Sequence, residues 1–320
     1  MKKRDLVIYK SLIGQSDSAR GGRSIDTVLF AKKMQDCRKK KITIITSYDK
    51  DYPESLKQIP DHPELLYCRG NTDLLREKYL VSMVGSRRAT AYGLGIAGKF
   101  SREIASSGVT VVSGMALGID ATCHRGALAA KGETIAVLGT AIDNLYPREN
   151  ERLGRQIIES GNLVVSEYPP GFWTAKFNFP MRNRIIAGLS RSTVVVEASR
   201  KSGALITALL ALDYNRNLYA VPSDLGKLSG EGSNYLISRG AICLVSAGMV
   251  LEDLGLLSIG KEANLTDQES LIMQMVKSGD NFDKMTKKLK TEPDKLNVIL
   301  LNLEIKGLVK RTSEGIKAFD

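Results

Sequence analysis

The chain has 320 residues, 43% of them hydrophobic, a formal net charge of +11, two histidines and four cysteines. That length suits two or three domains, and two histidines leave nothing for a histidine-rich metal site. The scattered Cys37, Cys68, Cys123 and Cys243 form no CxxC pair and read as free thiols of a reducing cytoplasm, not a disulfide framework.

The longest apolar runs, such as "STVVVEA" and "TIAVLG", fall far short of the roughly 18 residues of a membrane-crossing helix. The basic start "MKKRDLVIYKSLIGQ" lacks the apolar stretch and small-residue cleavage site of a signal peptide. A cytoplasmic protein without membrane contact is expected. Charge is unevenly placed: residues 1–57 hold 14 Lys/Arg against 7 Asp/Glu, and residues 264–320 hold 10 against 9. Such a balance suits a polyanionic partner, through phosphate neutralisation and counterion release. A merely soluble basic protein is the plainer reading of charge alone.

In chain order, residues 1–41 read as a basic N-terminal helical arm, with "SIDTVLFAKKMQDCRKKK" a helix ending in cations. "ITIITSYDKDYPESL" is a strand entering a turn, and it opens a lead-in segment over 42–75. Short β-branched runs then recur at 79–85, 109–114, 134–139, 162–167, 193–198, 217–222 and 241–246. Helical segments at 91–107, 118–131, 148–160, 182–189, 203–215 and 231–239 separate most of them. Strand and helix alternating at this interval predict βαβ units and a mostly parallel sheet. The runs are apolar throughout, as strands covered on both faces should be. The expected class is α/β, a Rossmann-like doubly wound core over 42–257. Its ligand crevice would lie outside the C-terminal strand ends.

Residues 258–266 read as a linker. Beyond it, over 264–320, three amphipathic helices and a strand–turn–strand make a winged-helix outline, a small α+β domain. Glu292, Asp294 and Glu304 beside Lys295 and Lys306 favour a protein-interaction or dimerisation module over a DNA reader, whose recognition helix usually clusters cations.

Three segments converge on the predicted crevice. Gly85, Ser86 and Arg87 follow the first central strand, where backbone N–H groups and a helix N-terminus make an anion site. "SGMALGID" (113–120) follows the next strand, with glycines that let a ligand approach. "KFNFPMRNR" (176–184) supplies Lys176, Arg182, Asn183 and Arg184, with Phe177 or Phe179 placed to stack on a base. This mixture of cations and aromatics suits a single-stranded nucleic acid better than a small cofactor. The competing reading makes Arg182 and Arg184 structural, bridging Glu197 and Glu167. Asp120 and Glu197 read as capping or arginine-pairing carboxylates, and His124, Met273 and Met275 as packed residues.

"GLGIAG" (93–98) matches G-x-G-x-x-G, but its glycines lie inside the helix and no carboxylate ends the following strand, so packing explains them better than nicotinamide binding. No Walker A sequence and no G-x-S-x-G elbow is present. Neither a cofactor nor a catalytic residue is expected.

"SMVGSRRATAYG", "VVSGMALGIDATCHRGAL", "GETIAVLGTAIDNLYPREN", "LVVSEYPPG", "FPMRNRIIAGLS", "VVVEASRKSGALITA" and "GSNYLISRGA" occur in this order. Together they resemble the DNA-processing protein A (DprA/Smf) family from about residue 42 to 255. The resemblance implies a dimeric single-stranded DNA-binding protein that protects incoming strands during natural transformation and helps load a RecA-type recombinase. It also implies DNA contacts at Gly85, Ser86, Arg87, Lys176, Phe179, Arg182, Asn183 and Arg184. The sequence departs from the family in having only a short basic arm before the core, Ser223 after "VP", and a tail that is not basic. Two alternatives stand beside this reading. One is a phosphoribohydrolase-type nucleotide enzyme on the same fold, whose P-G-G-x-G-T-x-x-E signature is absent. The other is a recombinase-interaction scaffold with a vestigial DNA site.

Overall fold

The computed structural model describes residues 2–13, 26–256, 266–289, 291–305, 308–312 and 315–318. All but Thr266 of the expected linker lies outside them, as do residues 14–25 of the N-terminal arm. The chain divides into two compact units, Met1–Met249 and Val250–Asp320.

The first unit is built on a nine-stranded sheet: β1 (Thr43–Thr46), β2 (Leu65–Gly70), β3 (Leu80–Val84), β4 (Thr110–Ser113), β5 (Thr134–Leu138), β6 (Leu163–Ser166), β7 (Ser192–Val195), β8 (Asn217–Ala220) and β9 (Ile242–Cys243). Their spatial order is β1-β2-β6-β5-β4-β3-β7-β8-β9. From β6 to β9 all pairs are parallel, so the predicted mostly parallel, doubly wound sheet is present. The chain winds outward from β3 to β6, then returns to place β7 on the other side of β3. That reversal makes the switch point between β4 and β7, above β3, where α/β sheets bind ligands. One edge differs from expectation: β2 inserts between β1 and β6, antiparallel to both. Its "LLYC" is buried on both faces, which an unbroken apolar run permits.

The helices are α1 (Lys3–Ile13), α2 (Thr27–Lys39), α3 (Glu54–Lys57), α4 (Ala91–Ser106), α5 (Ile119–Ala129), α6 (Glu151–Glu159), α7 (Asn178–Leu189), α8 (Ala204–Asp213), α9 (Glu231–Ser238) and α10 (Ala247–Asp253). Two apolar layers flank the sheet. In β5, Ile135 and Val137 join one, with Ile185, Ile186 and Leu189 of α7. Ala136 and Leu138 join the other, with Leu153 and Ile157 of α6. This is the period of two that a twice-covered strand imposes. Val7, Ile8 and Cys37 belong to the second layer, so α1 and α2 pack on the core instead of projecting as an arm. Arg4 binds Asp49 at 2.8 Å and the Tyr67 hydroxyl donates to Ser11 at 2.8 Å, tying α1 down.

The glycines of "GLGIAG" do pack, with one exception. A Cβ on Gly93 would lie 2.2 Å from a Glu197 carboxylate oxygen, and one on Gly98 would touch Thr122 of α5, whereas Gly95 faces open space. Helix α7 begins four residues before the predicted 182. Pro180 sits in its first turn, where the missing N–H has no intrahelical partner to lose.

The second unit contains α11 (Asp267–Lys277), α12 (Phe282–Leu289), α13 (Pro293–Ile305) and the antiparallel hairpin β10 (Val309–Thr312)–β11 (Gly315–Ala318), the order expected of a winged helix. Thr266 and Glu269 close a capping box on α11. Ile272, Met273, Met285, Leu296, Leu300 and Leu303 fill its core. Among the described residues no helix is long and apolar enough to cross a membrane.

Candidate nucleic-acid interface

A cleft of about 530 Å³ opens at the switch point. Gly85, Ser86, Arg87 and Arg88 after β3 form one wall, Phe179, Arg182 and Asn183 of α7 another, and Ser199, Ser202 and Thr207 around the start of α8 the third. Six of the eight sequence-predicted residues therefore come together. Lys176 sits exposed in the turn just before α7, outside the lining. Arg184 turns the other way: its Nη2 donates to both oxygens of Glu167 at 2.6 and 2.8 Å, and its Nε lies 3.4 Å from Asp61. Two residues apart on a helix, Arg182 and Arg184 cannot share a face.

Arg182 is also buried, yet it belongs to the cleft. Its Nη1 donates to the Gly114 carbonyl at 2.7 Å and to the Val137 carbonyl, pinning α7 across the ends of β4 and β5. A Cβ on Gly114 would come within 2.7 Å of both Arg182 and Asp120, so only glycine lets the two approach. Burial pulls the Arg182 guanidinium down to about 10, against the opposing pull of Asp120, and it stays charged at neutral pH. Burial likewise pushes the Asp120 carboxyl up, opposed by Arg182 and by backbone N–H groups of Ala116, Gly114 and Gly85.

The Gly85-Ser86-Arg87 turn offers an anion less bare backbone than expected. Gly85 N–H serves Asp120, and Ser86 N–H donates to the Glu197 carbonyl at 2.7 Å. The Ser86 hydroxyl accepts from Arg88 N–H at 3.1 Å, and the Ser86 carbonyl accepts from Ile119 N–H at 3.2 Å. Gly118, at φ +75°, makes that last contact possible, since a Cβ there would fall 2.3 Å from the Ser86 oxygen. The N-terminus of α4 is taken as well. Glu197 accepts from Thr90 N–H at 3.1 Å and from its hydroxyl at 2.5 Å, while Thr90 caps Gly93. A carboxylate from the end of β7 thus ties down the N-cap residue of α4, close against the helix's first turn. Glu197 is a structural cap and does not line the cleft.

Beside the start of α8, the cleft offers a ligand mainly side chains. Arg87 and Arg88 are exposed at the rim. The Arg87 guanidinium lies 5.6 Å from the Phe179 ring centre, and Phe179 lies 5.5 Å from Tyr146. Gly139 leaves room for that ring, since a Cβ would come 2.8 Å from it. Cations backed by an aromatic ladder can hold phosphates on one side and bases on the other. His124 takes no part: it is fully buried, its Nδ1 2.7 Å from the Thr134 hydroxyl, and burial drives it down to about 3. No group of three or more His, Cys, Asp or Glu residues among the described ones could hold a metal.

The family model described as DNA recombination-mediator protein A matches residues 43–255. The chain belongs to that family. The match spans the whole sheet and every loop that builds the cleft. The chain is 41% identical over 238 residues to Protein Smf of Synechocystis, covering 72% of this chain and about 60% of that relative's length. Among solved structures, DNA processing protein A of Streptococcus pneumoniae superposes with a TM-score of 0.65 at 36% identity, over 78% of this chain and 92% of that one. DNA processing protein A of Helicobacter pylori, described for its single-stranded DNA binding mode, gives 0.61 at 31% identity, over 67% and 95%. Arg88 lines the cleft and Tyr146 stands against its Phe179 wall, and motif reading passed over both. "GSRRAT" carried a second arginine, and "NLYPREN" an aromatic in the loop after a strand, so both signals were present.

Proposed function

We propose that the chain binds single-stranded DNA along the strand-end cleft and acts by binding, not turnover, as a recombination mediator. Phosphates would be held by Arg87, Arg88 and Lys176 over the fixed charge of Arg182, and a base would stack on Phe179. Gly85, Ser86 and Asn183 would shape the floor, and Arg184 would hold α7 in place from behind. The observation that carries this reading is the pairing of rim cations with the Tyr146–Phe179 ring pair, beside a helix N-cap tied down by Glu197. Cations and rings set along one rim suit a ligand that side chains can grip along its length. The relationship to the DprA/Smf family supports extending the reading to a homodimer that delivers strands to a RecA-type recombinase.

The test is anisotropy of end-labelled oligo-dT against duplex of equal length across a salt series, with a Lys176→Ala/Arg87→Ala variant alongside. Tight, salt-dependent binding that prefers the single strand and is lost in the variant is expected. Equal binding to duplex, or binding untouched by the variant, would refute the proposal.

A further inference from the structure

The loop from β6 to α7 carries a second aromatic group outside the cleft. Trp173, the only tryptophan of the chain, is 80% exposed, Phe177 67% and Phe172 40%. Scattered exposed apolar residues are ordinary. Three large aromatics within six residues, around a lysine, are not. The Phe172 ring lies parallel to Tyr168, centres 4.7 Å apart at 21°.

The loop is held in place. Ile142 N–H donates to the Tyr168 carbonyl at 3.2 Å and Phe172 N–H to the Pro169 carbonyl at 3.2 Å. Gly171 N–H reaches Asp143 at 2.9 Å, and Lys40 fixes Asp143 at 2.7 Å. Ala175 N–H reaches the buried Asn178 side chain at 3.0 Å. Rings on a pinned loop bind with little ordering cost. Five residues part Trp173 from Phe179, which leaves the two at most roughly 20 Å apart along an extended chain. Between them stands Lys176, so the loop alternates rings with a cation, as a single strand alternates bases with phosphates.

We propose that Trp173, with Phe177 beside it and the Phe172–Tyr168 stack behind, is a second base-stacking platform that carries a single strand beyond the cleft. The inference rests on the DNA-binding reading above and adds a subsite to it.

The full chain, titrated with unlabelled and end-labelled oligo-dT of increasing length, reports both through Trp173 emission and through anisotropy. Expected is quenching of Trp173 with the same midpoint as the anisotropy rise, once the oligomer outgrows the cleft. Trp173→Ala should weaken long oligomers about fivefold or more while leaving the shortest binding oligomer unchanged, and Trp173→Phe should retain most of the affinity. Long oligomers that bind while Trp173 emission stays constant and Trp173→Ala behaves as wild type would overturn the inference and leave the cleft reading intact. Failure of every oligomer to bind would remove both. Emission that changes on self-association and ignores DNA would assign the rings to contact between copies, and would equally overturn it.

Discussion

Arg87→Ala separates the grip of the cleft from the stability of the fold. The side chain is exposed, and among the described residues its side-chain partner is the Phe179 ring at 5.6 Å. An exposed cation–π contact is worth about 0.5–1 kcal/mol, so unfolding by urea should shift by no more than that. On the proposed reading four cations would border a strand: Arg87 and Arg88 at the rim, Arg182 beneath them, and Lys176 just outside the lining. At about 0.7 counterions released per single-strand phosphate contact, the wild type should show a log–log salt slope near −2.8 and the variant near −2.1. Between about 50 and 200 mM salt the wild type then loses roughly 50-fold in affinity and the variant roughly 20-fold. At the lower salt, loss of one charge-assisted contact of about 1.5–3 kcal/mol should itself weaken binding roughly 10-fold or more. Anisotropy of labelled oligo-dT reads both quantities. An affinity loss with the slope unchanged would mean that Arg87 does not neutralise a phosphate, and the assignment would fail.

Arg184→Ala should do the opposite. It strands Glu167 next to Asp61, costs about 3 kcal/mol in urea unfolding, and leaves the affinity of the folded protein for oligo-dT unchanged. Gly118→Ala forces a side chain into the left-handed region and against the Ser86 carbonyl. A loss of about 2 kcal/mol or more in thermal or urea unfolding is expected, together with weaker DNA binding as the Gly85–Arg87 turn shifts. His124 is buried neutral and titrates near 3 when folded against 6.5 when exposed. The unfolded chain therefore binds the extra proton between those values, and the stability His124 confers is present above pH 6.5 and drains away as pH falls towards 3, by at most roughly 1.4 kcal/mol per pH unit. His124→Gln should flatten the acid limb of a stability-versus-pH curve by up to one proton; an unchanged limb would refute the assignment.

The sheet was legible because strands covered on both faces need unbroken apolar runs, and those runs located all seven parallel strands. Residues 65–70 carried the same kind of run, yet β2 was read only as part of the lead-in, since no long helix separates it from β1 in the alternating pattern that marked the other strands. The start of α7 was hidden behind Pro180, which marks a helix boundary by rule but fits a first turn by geometry. At the site, residue types were readable and their directions were not. Arginines two apart on a helix must diverge, but which of Arg182 and Arg184 faces the ligand depends on where Glu167 and Asp61 lie, and that is settled by tertiary packing. The engagement of Glu197 with Thr90 depends likewise on β7 lying beside β3, a neighbour relation no local pattern contains.

On the proposed reading, the carboxylate at the head of α4 also bears on how a bound strand would leave. A phosphate lodged among helix N–H groups departs as one event, since its contacts share one rigid frame. Side chains spaced along a rim let go one at a time, and each freed phosphate regains its counterions before the next is released. A competitor arriving at one end of such a strand can displace it stepwise, against a series of small barriers in place of one large one. With a carboxylate in place of a bound anion at the head of α4, the proposed site would exchange a single deep anchor for a grip that can be peeled.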